Sequence, residues 1–211
     1  MKQKFLTIAA GIALAFLSAC DDSTSSNSVV IETVLTDSRD GQVYDIVKIG
    51  NQTWMAKNLN YKILEKTGDN LRNDCYKNLE GNCQLYGRLY TWSEAKKICP
   101  QGWHLPDTTE WNTLFNFVGG RAVAGQKLKA EVNLWTSSGY GTDEFGFSAL
   151  PGGFHKASSQ FFDIGQYANF WTSNEDNESQ AYHVTLFYDQ SVASHITDSK
   201  NYGLSVRCLK D

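Results

Sequence analysis

The chain has 211 residues, of which 41% are hydrophobic and 13% aromatic, and this composition suffices for one globular domain with an extension. The formal net charge is −4 at pH 7, and no stretch concentrates lysine and arginine. Because binding to a phosphate backbone requires clustered basic side chains, nucleic acid is excluded from the expected partners.

Residues 1–19 have the pattern of a secretory signal peptide. Lys2 and Lys4 precede an apolar stretch, Phe5 to Phe16, which is too short to span a bilayer. The sequence Leu-Ser-Ala-Cys that ends at Cys20 resembles the lipobox of bacterial lipoproteins. We therefore expect a lipid on Cys20 that anchors the protein in the cell envelope, at the outer membrane or cell surface. Ordinary secretion is the alternative.

Removal of the signal peptide would take away two lysines and change the formal charge from −4 to −6. Residues 20–36 are rich in Ser, Asp, Asn and Thr, which predicts a lipidated flexible tether. The folded domain is expected over residues 37–211.

The domain begins with a predicted β-hairpin. Val43–Ile49 and Gln52–Met55 are rich in β-favouring residues, and the Gly-Asn pair between them is typical of a tight turn. The following residues, 58–82, are polar and contain several turn signals, which predicts a loop region.

Two helices are predicted in the middle of the chain. Thr91 with Glu94, and Asp107 with Glu110, have the spacing of capping boxes, in which each side chain satisfies the other residue's free backbone N–H. Apolar residues at helical spacing follow each pair: Trp92, Ala95 and Ile98 in the first helix, and Trp111, Leu114, Phe115 and Val118 in the second. The next segment, residues 121–130, is consistent with either a weak helical extension or a loop.

Short strands are predicted in the last third of the chain, at residues 134–138, 170–174, 182–188, 192–196 and 204–208. The last three are expected to form the sheet that covers the helices. Alternation in the final strand predicts that Leu204, Val206 and Cys208 point inward, while Ser205 and Arg207 take the opposite face.

Once Cys20 is set aside, four cysteines remain, Cys75, Cys83, Cys99 and Cys208. An even number in an exported chain predicts two disulfides, for which three pairings are possible. A zinc site is the alternative, but the sequence contains no Cys-x-x-Cys pair and no histidines at ligand spacing.

Several motifs together resemble the Fibrobacter succinogenes major paralogous domain. They are YGRLYTW at 86–92, CPQGWHLP at 99–106, GFSALPGG at 146–153 and SVRC at 205–208. The likeness extends from about Thr36 to Asp211. That domain is similar in turn to the C-type lectin-like fold and to the formylglycine-generating enzymes.

The resemblance implies an α+β protein with a C-type lectin-like fold, in which two helices pack on a twisted antiparallel sheet with long loops and two disulfides. It also implies how the cysteines pair. Following the pattern of C-type lectins, Cys99 would bond to Cys208 and Cys75 to Cys83.

The groups on which the related activities depend are missing from the sequence. Formylglycine-generating enzymes use reactive cysteines late in the domain, and calcium-dependent lectins use Glu-Pro-Asn or Gln-Pro-Asp with Trp-Asn-Asp. Asn174, Glu175 and Asp176 supply oxygen atoms that suit calcium, with a solvated acidic loop as the alternative. The motif around Ser148 is one residue short of a nucleophile elbow. We therefore predict no catalytic residue, and no cofactor unless calcium binds in this acidic loop.

In C-type lectin-like folds the ligand contacts the long loops after the second helix, which correspond here to residues 136–176. Aromatic side chains in polar loops suit sugar rings and protein anchors, and the candidates are Tyr140, Phe154, His155, Tyr167 and Trp171. We expect a non-catalytic, surface-anchored module that binds a polysaccharide or a surface protein in an adhesion-type role. The alternatives are a structural or assembly lipoprotein of an envelope complex and a diverged enzyme of the formylglycine-generating type.

Overall fold

A computed structural model describes residues 34–63, 73–137, 139, 141–158 and 160–211. The signal peptide, the lipidation site Cys20, nearly all of the tether and the candidate ligand residue Tyr140 lie outside these described residues. Within them, every helix is too short or too polar to cross a membrane.

The described residues form four α-helices and twelve β-strands. The helices are α1 (Glu80–Tyr86), α2 (Trp92–Ile98), α3 (Thr108–Phe117) and α4 (Arg121–Leu128), and a 3-10 turn covers Tyr76–Asn78. The strands are β1 (Val34–Thr36), β2 (Val43–Ile49), β3 (Gln52–Met55), β4 (Asn73–Asp74), β5 (Leu89–Tyr90), β6 (Trp103–His104), β7 (Phe154–His155), β8 (Phe161–Phe162), β9 (Tyr167–Glu175), β10 (Gln180–Phe187), β11 (Ala193–Ser199) and β12 (Leu209–Lys210).

The strands form antiparallel sheets, and the chain is a mixed α+β protein. The largest sheet has the order β1-β2-β3-β12-β6, a second has the order β11-β10-β9, and β4-β5 and β7-β8 are two-stranded. The predicted hairpin is confirmed with its predicted bounds, and Val47 pairs with Trp54 in it. Because β12 adds to this hairpin, the two ends of the domain share one sheet.

Both predicted helices begin at their predicted caps. The Glu94 carboxylate accepts the Thr91 backbone N–H at 2.7 Å, and the Glu110 carboxylate accepts the Asp107 N–H at 2.8 Å. The open choice for residues 121–130 is resolved as a helix, α4. Helix α1 was not predicted, because Leu79 provides no side-chain cap and the helix contains the poor helix formers glycine and asparagine.

Two strand predictions are wrong. In the predicted 134–138 strand, the described residues 134–137 form turns and bends, whereas the sequence counterpart at 170–174 lies within β9. The predicted strand 204–208 is regular only from Leu209, and its first residues form isolated bridges with Tyr90 and Phe170. This segment runs between β5 and β9, so Ser205 and Arg207 are buried together with their neighbours. The predicted sheet of the strands 182–188, 192–196 and 204–208 is therefore not formed. The observed three-stranded sheet consists of β9, β10 and β11.

Large aromatic rings form the centre of the main core. Trp54 of the hairpin and Trp111 of α3 have ring centroids 4.8 Å apart. Phe147 packs edge-on against Trp54 at 5.7 Å, and Phe170 of β9 stacks on Trp111 at 5.7 Å. Pairs in these geometries add stability beyond their buried area, and here they join the hairpin, α3 and the second sheet.

The structure contains both disulfides implied by the resemblance. Cys75 and Cys83 are 8 residues apart, whereas Cys99 and Cys208 are 109 residues apart and join the end of α2 to the segment before β12. Cys75, Cys83 and Glu80 are the only three potential metal ligands that cluster among the described residues. Since their two sulfurs are bonded to each other, the zinc alternative is wrong for this state of the protein.

Lys129, which follows α4, is buried and holds the turn between β10 and β11. Its ammonium donates to the backbone oxygens of Phe187 at 2.9 Å, Tyr188 at 3.2 Å and Gln190 at 3.2 Å. Burial lowers the pKa of Lys129 below its ordinary value. The buried ammonium group of Lys129 thus fixes the turn, and its hydrogen bonds to the turn all go to main-chain oxygen atoms.

Candidate functional site

Two of the predicted ligand residues lie in the interior. Trp171 is 0% exposed, and its indole N–H donates to the backbone oxygen of Tyr90 at 2.8 Å. His155 is also 0% exposed, and its ring lies so close to Gly203 that a Cβ there would be 1.9 Å from Nε2. The prediction that these two side chains contact a ligand at the surface is therefore wrong.

Phe154 and Tyr167, the other two described candidates, are half-buried. Phe154 is stacked between Phe162 and Tyr202, at centroid distances of 5.4 Å and 5.8 Å, so that only its edge can contact a ligand. Tyr167 packs edge-on against Phe187 at 5.4 Å. The predicted aromatic residues therefore do not form one open platform in the described part of the loops.

The loop predicted to bind calcium already contains an internal cation. The Lys200 ammonium pairs with the Glu175 carboxylate and donates to the backbone oxygens of Asn177 at 2.7 Å and Glu178 at 2.9 Å. The hydrogen bond from Lys200 lowers the pKa of Glu175. Lys200 thus supplies the positive charge that this oxygen-rich loop would otherwise draw from a metal ion.

The two other predicted calcium ligands also have protein partners. Asn174 Oδ1 accepts the backbone N–H of Thr108 at 2.6 Å, which ties the loop to the start of α3. Asp176 accepts the side-chain N–H of Asn177 at 2.8 Å. Each side chain of the predicted calcium triad therefore contacts another group of the protein in this structure.

We expect Lys200→Met to lower the free energy of unfolding by about 1–2 kcal/mol, because the substitution removes charge-assisted hydrogen bonds from a partly exposed site. Denaturant unfolding measures this change, and Lys97→Met, which replaces an exposed lysine of α2, is the matched control. Millimolar calcium should leave the melting temperature of the wild-type protein unchanged. A calcium-dependent rise in the wild-type melting temperature would contradict this assignment.

Ser148 closes a loop. Its hydroxyl donates to Asp143 Oδ2 at 2.5 Å, and its backbone N–H donates to Asp143 Oδ1 at 2.7 Å. Burial raises the pKa of Asp143 above its ordinary value. Ser148 has a φ of +52° and lies in an irregular segment, without the strand and helix of a nucleophile elbow.

The Arg207 guanidinium connects three segments of the chain, although it was predicted to face outward. It donates to Asn58 Oδ1 at 2.7 Å and to the backbone oxygens of Met55 at 3.0 Å, Phe147 and Ser148 at 2.7 Å. Arg207 is 0% exposed, and burial lowers its pKa to about 9, so the group is charged at neutral pH. This one side chain holds the end of the hairpin against the 146–153 loop.

Beside this cluster, two adjoining cavities of about 380 Å³ and 530 Å³ share Lys57 and Leu150 and form one open groove. We call it the hairpin groove. Its walls combine exposed aliphatic side chains with planar polar ones. They include Val43, Asn60, Gln84 and Leu85 in the first cavity and Asp45, Glu131 and Asp143 in the second.

Close backbone packing shapes the floor of the first cavity. Gly87 has a φ of +76°, and a Cβ there would lie 2.7 Å from Asn58 Cβ and 2.8 Å from the oxygen of Leu59. Only glycine fits such a position without displacing the backbone. Asn58 in turn donates to the backbone oxygen of Tyr86 at 2.8 Å, so α1 and the segment after the hairpin are fixed against each other.

The backbone of Asn60 is hydrogen-bonded, whereas its side-chain oxygen has no hydrogen-bond partner among the described residues. Its N–H donates to the Tyr44 hydroxyl at 3.1 Å, and its C=O accepts the side-chain N–H of Gln42 at 3.0 Å. Asn60 Oδ1 is buried and has no hydrogen-bond partner among the described residues. A buried acceptor without a donor is unfavourable.

None of the groove residues had been predicted from the sequence to bind a ligand, although Cys83 was expected to form a disulfide and Ser148 was considered as a nucleophile. They come from three segments far apart in the chain, around Val43, Leu85 and Asp143, and only folding brings them together. The available signal was the polar stretch after the hairpin, which contains Asn58 and Asn60 and which we interpreted as a loop.

Comparison with known proteins gives a family and no close relative. The family model described as the Fibrobacter succinogenes major domain matches residues 47–210. No curated protein and no solved structure matches the chain. Because the family match covers well over half of the sequence, the chain belongs to the Fibrobacter succinogenes major domain family.

Proposed function

We propose that this protein is a non-catalytic binding module, displayed on the cell envelope through a lipid on Cys20, whose ligand is a polysaccharide or a protein of the cell surface. The observation that carries the proposal is the hairpin groove. It is open to solvent, its floor is fixed by backbone packing, and its walls offer both apolar contacts and hydrogen-bonding groups. These are the properties of a recognition site.

We also propose that the fold is C-type lectin-like. The support is the disulfide from the end of α2 to the segment before β12, together with the shared sheet of the first and last strands.

A binding role is favoured over catalysis by two observations. The four cysteines of the domain are bonded in pairs, and the Ser148 hydroxyl is bonded to Asp143.

The proposal predicts retention on a ligand-bearing surface. The mature chain with Cys20→Ser would be tested on insoluble polysaccharides, on a glycan array and by crosslinking to intact cells, with reduced and alkylated protein as the control. We expect the folded protein alone to be retained on a glycan or crosslinked to a surface protein. Failure in all three assays would contradict a binding function.

The lipid anchor has its own test. Cells fed a labelled fatty acid should incorporate it into the wild-type protein, and Cys20→Ser should abolish both the label and membrane association. A soluble, unlabelled wild-type protein would contradict the anchor without bearing on the groove.

A structural or assembly role is the second candidate. Exposed aliphatic side chains favour it, since Leu79 is 58% exposed and Leu85 46% exposed on or beside α1, and Val43 is 52% exposed on β2. Clustered apolar surface is typical of protein interfaces. A stoichiometric crosslinked partner in cells, with no retention on glycans, would favour this function.

The third candidate, a diverged formylglycine-generating enzyme, is not supported by any feature of the described residues. Catalytic oxidation of a cysteine-containing peptide would be the test of it.

A further inference from the structure

We infer that β11 is the contact surface for a second copy of this chain, and that the two copies pair their β11 strands antiparallel about a twofold axis at Ile196. The pairing joins two three-stranded sheets into one continuous sheet. This inference does not depend on which ligand the hairpin groove takes. Three features carry it: the length of the open edge, its free backbone groups and the match of the strand with itself.

Among the strands that the structure describes, β11 is the only long open edge. It spans seven residues, Ala193–Ser199, and ends the order β11-β10-β9. The outer strands of the largest sheet are β1, with three residues, and β6, with two. The far side of β9 is covered, because the Trp171 N–H donates to the Ser205 oxygen and the Ser205 N–H donates to the Asn169 oxygen, both at 3.1 Å.

The strand lacks the features that usually keep an exposed edge from pairing, which are lysine, proline or a bulge. Its sequence, ASHITDS, contains neither lysine nor proline, and its register with β10 runs from Ala193 to Ser199 without a shift. Its one carboxylate, Asp198, lies 3.1 Å from His183 Nε2 in the same sheet. Ile196 is 36% exposed. A regular edge of this kind is suited to accept another strand.

The hydrogen bonds of the sheet fix which backbone groups of β11 point outward. On β9, the backbone groups of Asn169 and Trp171 are bonded to residue 205, away from β10. The groups of successive residues alternate in direction along a strand, and the register across all three strands is continuous here. The outward groups of β11 are therefore those of its odd-numbered residues. In the middle of the strand these are the N–H and C=O groups of His195 and Thr197.

These outward groups are free. No other part of the described chain forms a hydrogen bond to the backbone of His195 or Thr197 on this side, and both residues are partly exposed. Because a backbone group without a protein partner is stable only in contact with water, the middle of the edge is solvated. The edge is engaged at its first residue, where Arg121 Nε donates to the Ala193 oxygen at 3.3 Å.

The partner that complements such an edge is an extended polypeptide, and β11 complements itself. In an antiparallel pair centred on Ile196, His195 of one copy lies opposite Thr197 of the second copy, so that each free N–H meets a free C=O. Ile196 lies opposite its own counterpart and loses its exposed area. Ser194 lies opposite Asp198, so a hydroxyl donor meets a carboxylate and no like charges face each other. Such self-complementarity is what a twofold interface requires, and it favours a second copy over an unrelated strand.

Sedimentation equilibrium of the mature Cys20→Ser chain, over a series of concentrations, measures the pairing as a reversible monomer–dimer equilibrium. Thr197→Pro removes an outward N–H and leaves the bonds to β10 in place. It should weaken dimerisation at least about tenfold, because each copy loses a hydrogen bond to the other. Thr197→Val keeps the N–H and the branched side chain, so this control should dimerise like the wild-type protein.

A cysteine at the centre of the pairing tests the register, and it keeps the test valid if Thr197→Pro fails to fold. The Cα atoms of a non-hydrogen-bonded antiparallel pair are about 4.5 Å apart, a distance that a disulfide can span. Ile196→Cys should therefore form a covalent dimer under mild oxidation. Ser194→Cys, on the same face of β11, is the control, since its counterpart lies about 13 Å away. A mixture of Ser194→Cys and Asp198→Cys should crosslink.

A dimer that Thr197→Pro weakens and that Ile196→Cys crosslinks supports the inference. A chain that stays monomeric at every concentration overturns it, and so does a dimer that Thr197→Pro leaves intact. Equal crosslinking of Ser194→Cys alone and Ile196→Cys overturns the register and with it the inference. Crosslinking of Ile196→Cys to a different envelope protein in cells, without a dimer, also overturns it, because the edge then serves an unrelated strand.

Discussion

Arg207→Met is expected to lower the free energy of unfolding by about 3–5 kcal/mol, because it leaves several buried oxygen atoms without their donor. The acceptors that would lose it are Asn58 Oδ1 and the backbone oxygens of Met55, Phe147 and Ser148. Urea denaturation monitored by tryptophan fluorescence measures the change.

Two further variants identify the cause of this loss. Arg121→Met makes the same chemical change at an exposed arginine that donates one long hydrogen bond, to the backbone oxygen of Ala193 at 3.3 Å, and it should cost at most about 1 kcal/mol. Arg207→Lys keeps the charge but replaces a planar fork with a single ammonium group, so we expect an intermediate loss. A protein with Arg207→Met that unfolds at the wild-type urea concentration would show that the guanidinium does not hold the three segments together.

Removal of the long-range disulfide is expected to cost more than removal of the short one. In the chain-entropy model, a crosslink that closes a loop of about 100 residues contributes about 4.7 kcal/mol, and one that closes about 8 residues contributes about 2.5 kcal/mol. The observed separations are 109 residues for Cys99–Cys208 and 8 for Cys75–Cys83. The double variants Cys99→Ala/Cys208→Ala and Cys75→Ala/Cys83→Ala, compared by denaturant unfolding, test this order.

The two double variants are also expected to differ in ligand binding. Cys83 lines the hairpin groove, so loss of the short disulfide should weaken ligand binding while the rest of the domain stays folded. Loss of the long disulfide should instead reduce the folded population at physiological temperature. Equal stability losses for both variants would contradict the loop-length argument.

The parts of the fold that follow from local chemistry were predictable from the sequence. The capping boxes at Thr91 and Asp107 depend on residues three positions apart, and the hairpin depends on the Gly-Asn pair between two β-rich runs. The disulfide pairing was different, because counting cysteines left three choices and only the family resemblance selected one. Helix α1 escaped prediction since a disulfide and tertiary packing, rather than helix propensity, hold it.

The candidate site was much less predictable. An aromatic residue in a polar loop looks the same in sequence whether its ring is buried or exposed, and Trp171 and His155 are buried in the structure. Arg207 was placed on the outer face by alternation, a rule that fails where both faces of a strand are covered. The groove joins residues as far apart in sequence as Val43 and Asp143, so no local pattern could identify it.

The main-chain anchoring by Lys129 has a consequence for protein engineering. Every amino acid type presents the same peptide carbonyl, so the bonds from Lys129 to positions 187, 188 and 190 do not depend on which side chains stand there. The exposed positions 189–191 of this turn can therefore be randomised in a library without losing its clamp, provided that its length is kept. The domain thereby offers a scaffold on which new recognition loops can be selected.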